Sequence, residues 1–370
     1  MKVAVIHYWL VSMRGGEKVL ENILELFPNA DVFTHVYIPQ KLSSTITSHT
    51  VFTSSINRLP FAATLYKLYM PLMPNALLEF DLQNYDLVIS SEAGPAKGVV
   101  CAPDAYHICY CHSPMRYLWD MYHPYLRSTN ALVRFFMKLL FPKLRIWDIT
   151  SSNLVDFFIA NSTFVASRIK RYYRRDAAVV FAPADIENFT EKKRDVKDYY
   201  LFFGQLAENK CIDIALELFC SDKYLQDGKK LVVAGGGASK KMIASYKKCS
   251  NITFLGRVSE AEKQELFAQA RALIFPGIED MGLIPIEANS AGCPVIAFRK
   301  GGALDTIAEN KTGIFFDEQT AVSLDAAIET FEASHENFND RAVFREHVQK
   351  FSRDTFKHHI LQIIDDHVIL

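Results

Sequence analysis

The sequence alternates short apolar runs with helix-forming stretches along most of its length. The first half contains the runs VAVIHY (3–8), YDLVISS (85–91), AYHICYC (105–111), VDFFIANS (155–162) and AAVVFAP (177–183). The second half contains YYLFFGQL, KLVVAGGG, NITFLGRV, RALIFPG and CPVIAFRK. Nearly continuous apolar strands of this kind are typical of parallel sheets that helices cover on both faces. The pattern therefore predicts an α/β protein.

A polar, charged stretch separates the two halves. We interpret residues 184–198, ADIENFTEKKRDVKD, as a hinge. The sequence then predicts two Rossmann-like, doubly wound parallel-sheet domains at 1–183 and 199–350, and a C-terminal helix at 351–370 that packs back on the first domain. Ligands of such sheets bind beyond the carboxyl ends of the strands, so we expect the site in a central cleft between the domains.

Composition limits the classes of function and partner. A formal net charge of -1 argues against nucleic-acid binding by neutralisation of many phosphates. Seven scattered cysteines indicate a reducing compartment rather than a disulfide framework. The opening MKVAVIHYWL predicts a first strand rather than a signal peptide, and no apolar run approaches the roughly 20 residues of a membrane span. We therefore expect a cytoplasmic protein, soluble or peripheral to the inner face of the membrane.

One group of side chains raises the alternative of a metal site. His107 and His112 flank Cys109 and Cys111 in YHICYCH. The other interpretation is a buried strand that places alternate residues on one face. Since no second cluster of ligands has zinc-site spacing, we predict no metal.

The segment GIEDMGLIPIEANSAGCPVI (277–296) carries the strongest chemical signal. It places Glu279 in a loop after a strand, because Gly282 and Pro285 oppose one continuous helix through to Glu287. A helix that begins near Pro285 would put Glu287 in its first turn.

Free backbone N–H groups at the start of that helix would attract a phosphate, and the two carboxylates could accept hydrogen bonds from sugar and ribose hydroxyls. The pattern suits a sugar nucleotide. The alternative is that Glu287 only complements the helix dipole and Glu279 is a solvated loop residue.

Three other segments place polar or glycine residues where strands end. Gly15 and Gly16 follow the first strand and precede a helix, which would let backbone N–H groups approach a phosphate. Lys210 follows a strand in the second half and could pair with a diphosphate. His112 ends a strand before a loop that holds Arg116. Each residue alone has an ordinary structural or solvated alternative.

Together and in this order, these segments resemble the retaining GT-B glycosyltransferases of family four. EDMGLIPIEANSAGCPVI matches the family's signature of two glutamates separated by seven residues in an EGFGLPxxEAMAxGxPVI-like segment. GQLAENKC and GRVS represent its GRLxxxKG and GxV motifs. The first-half segments HYWLVSMRGGEKVLENILELFPNADVFTHVY, YDLVISSEAGPAKGV and HICYCHSPMRYLWD look most like bacterial O-antigen mannosyltransferases of the lipopolysaccharide type.

The resemblance implies the GT-B fold and a reaction. The protein would transfer a hexose from a nucleoside diphosphate sugar, with GDP-mannose as the leading donor, to a lipid-linked saccharide with retention at the anomeric carbon. It would use no cofactor, no metal and no covalent nucleophile. A UDP-sugar donor and a non-catalytic subunit that binds sugar nucleotides are the alternatives.

The resemblance also implies roles for particular residues. The catalytic set is Glu279, Lys210 and His112. The donor-binding set is Gly16, Gln205, Arg257, Val258, Met281, Gly282, Leu283, Ile284 and Glu287. Glu279 would hold donor-sugar hydroxyls, Glu287 the ribose hydroxyls, and His112 would lie near the sugar. Lys210 would neutralise charge on the leaving diphosphate, and the loop at Arg257 would contact the base.

One residue departs from the family pattern. Gln205 stands where the family has arginine, which removes a charge and a bidentate grip on phosphate. Arg14, Arg116 and Arg257 are candidates to replace it. Cys211 is a milder departure, since the family often has glycine there.

Two segments of the first half suggest a membrane contact. Residues 125–147 carry five basic residues and no acidic one, among many apolar side chains. Residues 56–74 are similarly apolar. A basic amphipathic element can lie on an anionic membrane surface. The alternative is that both segments are helices that face the core.

Overall fold

A computed structural model describes residues 1–190 and 194–368 and divides them into two units. Unit 1 comprises Met1–Pro183 and the chain from Phe356 onward, and unit 2 comprises Ala184–Thr355. Residues 191–193 of the predicted hinge and residues 369–370 of the predicted C-terminal helix lie outside the described residues.

Unit 1 is built on a seven-stranded sheet in the order β3-β2-β1-β4-β5-β6-β7, and every pairing is parallel. Its strands are β1 (Val3–His7), β2 (Asp31–Thr34), β3 (Val51–Thr53), β4 (Leu87–Glu92), β5 (Tyr106–Cys111), β6 (Phe157–Ala160) and β7 (Ala178–Val179). The central strands β1 and β4 are buried along their whole length, including the polar residues at their carboxyl ends.

The helices of unit 1 surround this sheet. They are α1 (Gly15–Leu26), α2 (Ser44–Thr47), α3 (Ala62–Leu65), α4 (Met73–Ala76), α5 (Tyr122–Ser128), α6 (Ala131–Ser151) and α7 (Thr163–Tyr173). The last helix of the chain, Arg353–His367, continues into unit 1: Phe356 packs against the ring of Tyr110, and Lys357 pairs with Glu25.

Unit 2 repeats the arrangement with a six-stranded parallel sheet in the order β10-β9-β8-β11-β12-β13. The strands are β8 (Tyr200–Phe203), β9 (Leu231–Ala234), β10 (Ile252–Gly256), β11 (Leu273–Phe275), β12 (Val295–Phe298) and β13 (Gly313–Phe316). Two apolar clusters, one on each face of the sheet, form the core of this unit.

The helices that begin in unit 2 are α8 (Glu187–Thr190), α9 (Ile212–Phe219), α10 (Asp222–Gln226), α11 (Lys240–Ser245), α12 (Glu260–Gln269), α13 (Leu283–Ser290), α14 (Ala303–Thr306), α15 (Ala321–Ala333), α16 (Arg341–Gln349) and α17 (Arg353–His367). Helix α8 lies within the predicted hinge, yet Phe189 is fully buried and packs against Phe267.

The two all-parallel sheets confirm the predicted α/β class with two Rossmann-like domains. In each sheet the strand order reverses beside the first strand of that unit, between β1 and β4 and between β8 and β11. Open sheets of this kind bind ligands where the order reverses, at the carboxyl ends of the strands. Nearly all of the predicted site residues follow strands at these ends.

The sequence predicted a reducing compartment without a disulfide framework, and one pair of cysteines differs from this expectation. Cys220 and Cys249 are joined as a disulfide, with Cα atoms 5.3 Å apart, because the fold brings the end of α9 next to the residues that precede β10. Cys109 and Cys111 are buried in β5, and His107 hydrogen-bonds Ser90 and the carbonyl of Leu154. These contacts correspond to the buried-strand interpretation of the YHICYC segment.

Candidate functional site

The loop that holds Glu279 runs from β11 to α13 and depends on glycine at both of its contacts. Gly282 caps α13 with φ +83°, a left-handed conformation that side chains other than glycine rarely adopt. Behind the loop, Gly302 donates its N–H to the carbonyl of Glu279 over 2.9 Å. A Cβ on Gly302 would lie only 2.3 Å from the carbonyl oxygen of Met281. The path of residues 279–282 is therefore determined by backbone packing.

Lys210 and Glu279, two predicted catalytic residues, meet in the structure. Lys210 ends a short turn after β8, and its Nζ forms an ion pair with Oε1 of Glu279. The two side chains remain 25% and 20% exposed. Gly277 allows this approach, because a Cβ there would lie 2.8 Å from Cα of Lys210. A cation and a carboxylate thus stand together where the strand order of unit 2 reverses.

Glu287 lies deeper in its helix than predicted. Helix α13 begins at Leu283 rather than near Pro285, since Gly282 provides the cap, and Glu287 is its fifth residue rather than part of the first turn. The carboxylate is 7% exposed and lies 3.2 Å from Nζ of Lys263, which also pairs with Glu260 at 2.7 Å. Sequence reasoning missed Lys263, because no motif marks it.

The glycine-rich loop 235–237 follows β9 and lies beside the residues that follow β8 and β10. A Cβ on Gly235 would lie 1.8 Å from the carbonyl oxygen of Gly204, so position 235 requires glycine. The Cβ position of Gly236 is 2.9 Å from Nε of Arg257, and that of Gly237 is 3.6 Å from Cγ of Gln205.

Arg257 and Gln205 consequently border the same loop. Both side chains are exposed, and in the described part of the chain Arg257 has no hydrogen bond or ion pair. Three arginines were candidates to replace the guanidinium that Gln205 lacks. Of these, Arg257 is the one that borders the same glycine-rich loop as Gln205. The neighbouring Val258 packs against the core of unit 2.

In unit 1, the predicted residues Gly16 and His112 are adjacent. A Cβ on Gly16 would lie 3.7 Å from Nε2 of His112, 3.6 Å from Cε1 of His7 and 3.1 Å from the hydroxyl of Tyr8. Gly16 is the second residue of α1, so the start of this helix faces the ends of β1 and β5. A side chain at Gly16 would crowd the histidines.

A line of polar groups connects His112 to the interior of unit 1. Nε2 of His112 is 2.9 Å from Oγ of Ser91, and the same oxygen is 3.0 Å from Nδ1 of His7. Nε2 of His7 lies 3.9 Å from Oε1 of Glu17. Burial, with a smaller contribution from His7, lowers the pKa of His112 to about 3.

Sequence reasoning missed His7, Ser91 and Glu17. His7 and Ser91 could have been found, because each is a polar residue near the carboxyl end of an otherwise apolar strand. His7 ends β1, and Ser91 is the penultimate residue of β4.

A second buried polar cluster adjoins Ser91 along β4. Glu92 and Lys97 pair with each other, and Lys97 also pairs with Asp148 of α6. Asp148 accepts hydrogen bonds from the side chains of Trp119 and Tyr173. Burial raises the pKa of Glu92 to about 7, although Lys97 opposes the change. The cluster attaches the C-terminal half of α6 to the end of the central strand.

The outer face of α6 is apolar and exposed. Met137, Phe141 and Leu144 face the protein. The exposed apolar side chains are Leu132, Phe135, Phe136, Leu139, Ile146 and Ile149, which we call the α6 surface. Phe61, Leu65, Leu68 and Leu72 of the segment 56–74 are also exposed. Both segments therefore pack one face against the protein and expose apolar side chains on another. In the described ranges, no helix has the length and apolar character to cross a membrane.

The chain is similar in sequence and in fold to known glycosyltransferases. Residues 168–351 match the family of glycosyl transferases group 1. Human alpha-1,3/1,6-mannosyltransferase ALG2 is 27% identical over 212 residues, which cover 49% of this chain and 51% of that protein. The GDP-mannose-dependent alpha-(1-6)-phosphatidylinositol monomannoside mannosyltransferase of Mycobacterium tuberculosis (strain ATCC 25618 / H37Rv) is 34% identical over 126 residues, 31% of this chain and 33% of that protein.

Among solved structures, Anabaena HepE in complex with UDP superposes with a TM-score of 0.70 and 14% identity, covering 99% of this chain and 100% of that one. The chain covers 51% and 33% of the two curated relatives described above. It has the GT-B fold, and the match to glycosyl transferases group 1 covers residues 168–351, just under half of the chain.

Proposed function

We propose that this protein is a retaining hexosyltransferase that transfers mannose from GDP-mannose to a lipid-linked saccharide. The product would be a cell-surface polysaccharide such as lipopolysaccharide O-antigen. The observation that carries the proposal is the ion pair between Lys210 and Glu279 beside the glycine-capped start of α13. Cation, carboxylate and free helix N–H groups are the groups that a diphosphate joined to a sugar requires.

A bound donor would provide a separate partner for each member of this pair. The diphosphate would take Lys210 and the N–H groups of the first turn of α13, where the helix dipole favours negative charge. Glu279 would then accept hydrogen bonds from sugar hydroxyls. Lys210 would stabilise the charge that develops on the diphosphate as the glycosidic bond breaks, which is the effect that contributes most in such sites.

Retention without a metal or a covalent nucleophile is part of the proposal. The leaving phosphate would help to accept the proton of the acceptor hydroxyl. Glu279 would bind the sugar rather than attack it, since its carboxylate pairs with Lys210.

The mannose and GDP assignments rest on the relatives. The human relative is described as a mannosyltransferase and the mycobacterial one as GDP-mannose-dependent. In this chain Glu287 would take the ribose hydroxyls, and the loop at Arg257 and Val258 would contact the base.

A lipid-linked acceptor would also explain the α6 surface. Phe135 and Leu139 are 62% and 57% exposed, and Arg134, Lys138 and Lys143 are exposed on the same helix. Apolar side chains that insert into the headgroup region, with basic residues nearby, are typical of peripheral contact with an anionic membrane. We propose that α6 and the segment 56–74 hold the protein at the cytoplasmic face of the membrane.

Calorimetric titration with GDP, UDP and ADP, with pyrophosphate as a control, tests donor binding. Selective binding of GDP is the expected result. Selective binding of UDP would keep the class of enzyme and change the donor. Absence of binding by all three nucleotides would contradict the proposal.

A non-catalytic subunit is the second candidate, and Gln205 favours it because the residue lacks the guanidinium expected at that position. Transfer of radiolabelled mannose to an extracted lipid-linked acceptor separates the two candidates. The enzyme would produce a labelled glycolipid. A binding subunit would retain affinity for the nucleotide and show no transfer.

A further inference from the structure

We propose that Glu17, His7 and Ser91 set the tautomer of His112, so that its Nδ1 accepts a hydrogen bond from a ligand hydroxyl. This inference rests on the proposed sugar-binding function and makes Glu17, His7 and Ser91 positioning residues. The ligand group that His112 recognises would then be a neutral hydroxyl rather than a phosphate oxygen.

The first step is the geometry of Ser91. Its Oγ lies 3.0 Å from Nδ1 of His7 and 2.9 Å from Nε2 of His112, and the serine is fully buried. A hydroxyl has one proton and two lone pairs, so it can accept from both ring nitrogens but can donate to only one of them. If Nδ1 of His7 lacks a proton and accepts from Ser91, Nε2 of His112 must therefore carry a proton and donate to the same oxygen.

The second step is the position of Glu17. This residue is 2% exposed, and its Oε2 accepts the backbone N–H of Arg14 over 3.0 Å, which holds the carboxylate in place. Oε1 lies 3.9 Å from Nε2 of His7. A negative charge at that side favours the proton on Nε2 in a neutral ring, because charge interactions are strong where water is excluded.

The directions of the two hydrogen bonds of Ser91 then follow. With its proton on Nε2, a neutral His7 has a lone pair on Nδ1 and accepts the hydrogen bond of the Ser91 hydroxyl. The oxygen of Ser91 in turn accepts from Nε2–H of His112. This leaves Nδ1 of His112 without a proton, and it can only accept a hydrogen bond.

The third step concerns what His112 can bind. Among the described residues, the ring hydrogen-bonds only Ser91, and it is partly exposed. The lowered pKa, about 3, keeps the ring neutral near pH 7. A neutral acceptor attracts a hydroxyl donor and repels an oxyanion, which distinguishes this position from Lys210 in unit 2.

The tautomers can be observed directly in the full-length protein. We would label the 11 histidines with 15N and record long-range 1H–15N spectra at pH 7, with H112N to assign the signal. We expect the proton of His112 on Nε2. The isosteric E17Q variant removes the charge and should shift His112 toward a mixture of tautomers.

Variants of Ser91 provide the matched comparison. S91T retains the hydroxyl and should keep the wild-type tautomer, whereas S91A removes the link between the rings and should lose it. A proton on Nδ1 in the wild type, or an unchanged tautomer in both E17Q and S91A, would overturn the proposal. If S91A does not fold, E17Q against the wild type decides.

Affinity for deoxyfluoro analogues of GDP-mannose identifies the hydroxyl. Fluorine cannot donate a hydrogen bond, so one analogue should bind the wild type about two- to tenfold more weakly than GDP-mannose. The same analogue should show no difference in H112A. Equal loss in both proteins for every analogue would overturn the role of Nδ1. If the wild type binds no nucleotide sugar, the proposed function fails, and the spectra still decide the tautomer.

Discussion

The two units build their candidate sites from different kinds of polar contact. In unit 1, His7, Ser91 and His112 join through hydrogen bonds of 2.9 to 3.0 Å around a fully buried serine. In unit 2, Lys210 and Glu279 form an ion pair whose side chains are 25% and 20% exposed. Buried hydrogen bonds are costly to break, whereas partly exposed ion pairs contribute little to stability and exchange partners easily.

This difference suggests that the two units have different roles. The buried line in unit 1 holds the ring of His112 through the hydroxyl of Ser91. In the proposed function, the two charges of the ion pair in unit 2 would bind a diphosphate and sugar hydroxyls. We therefore expect substitutions in unit 2 to affect the chemical step and charge neutralisation most, and changes in unit 1 to affect orientation and stability.

The largest effect should follow from K210A. Loss of the cation would leave the charge on the departing diphosphate unneutralised and lower kcat by about 10²- to 10³-fold, as removal of one such donor does in other enzymes. Steady-state mannose transfer measures it. K223A is a matched control, because Lys223 also forms exposed ion pairs in unit 2, with Asp325 and Glu329, but lies on α10. Similar losses in both variants would contradict the role of Lys210.

A smaller effect should come from R257A. If Arg257 supplies the guanidinium that Gln205 lacks, its removal should weaken GDP binding by about 1.5–3 kcal/mol, the usual contribution of a charged hydrogen bond. Calorimetry measures the affinity for GDP of R257A and of the double variant Q205R/R257A, which carries the arginine at position 205 instead. We expect the added arginine to restore affinity. Unchanged binding in R257A would show that diphosphate binding in unit 2 does not depend on this side chain.

The α6 surface should contribute about 1 kcal/mol or more for each inserted apolar side chain, part of the roughly 1.5–3 kcal/mol for full burial. The double variant F135S/L139S should therefore sediment less with vesicles that contain anionic phospholipid. V322S is the control, since Val322 is an 80% exposed apolar residue of α15 in unit 2. Equal sedimentation of all three proteins would rule out membrane contact through α6.

The two units should also differ in their sensitivity to acid, which we expect to be greater in unit 1. Burial lowers the pKa of His35 and His107 to about 4 and that of His112 to about 3. Below the unfolded value near 6.5 the unfolded chain binds more protons, so the free energy of unfolding falls as pH drops from 7 to 5. Glu92, with its pKa raised to about 7, has the opposite effect over this range. Three histidines act against one carboxyl group, so we expect a net loss on the order of 3 kcal/mol.

Hydrogen exchange of the full chain at pH 7 and pH 5, corrected for the intrinsic rates, measures this difference. The acidic groups with lowered pKa in unit 2, such as Glu309 and Asp325, contribute little above pH 5. Burial also lowers the pKa of His347 in unit 2, which sets one such histidine against three in unit 1. Protection should therefore decrease more in unit 1. An equal decrease in both units would contradict the expectation.

Much of the fold was predictable because it depends on local patterns. Apolar runs that suit burial on both faces specify parallel strands, and glycine and proline limit where helices begin. The same reasoning placed Glu279 in a loop. It put the start of α13 too late, because Gly282 at φ +83° acts as the cap and Pro285 stands inside the first turn.

The site was predictable only where a motif or a strand end marked it. Lys210, Glu279, Gly16 and His112 all follow or border strands, and the structure brings them together in pairs within each unit. Lys263 could not be found in this way. Its contact with Glu287 depends on how α12 packs against α13, which no local signal in either helix shows.

The two parallel sheets and the residue types at their carboxyl ends follow from the apolar runs and the order of elements, which can be read from the amino-acid sequence. Which of these residues touch depends on the folded unit. His7 and Ser91 are 84 positions apart and meet only because β1 pairs with β4 in one register. Strand register and helix packing arise from contacts across the whole unit, so the partner of each polar side chain cannot be known until the unit has folded.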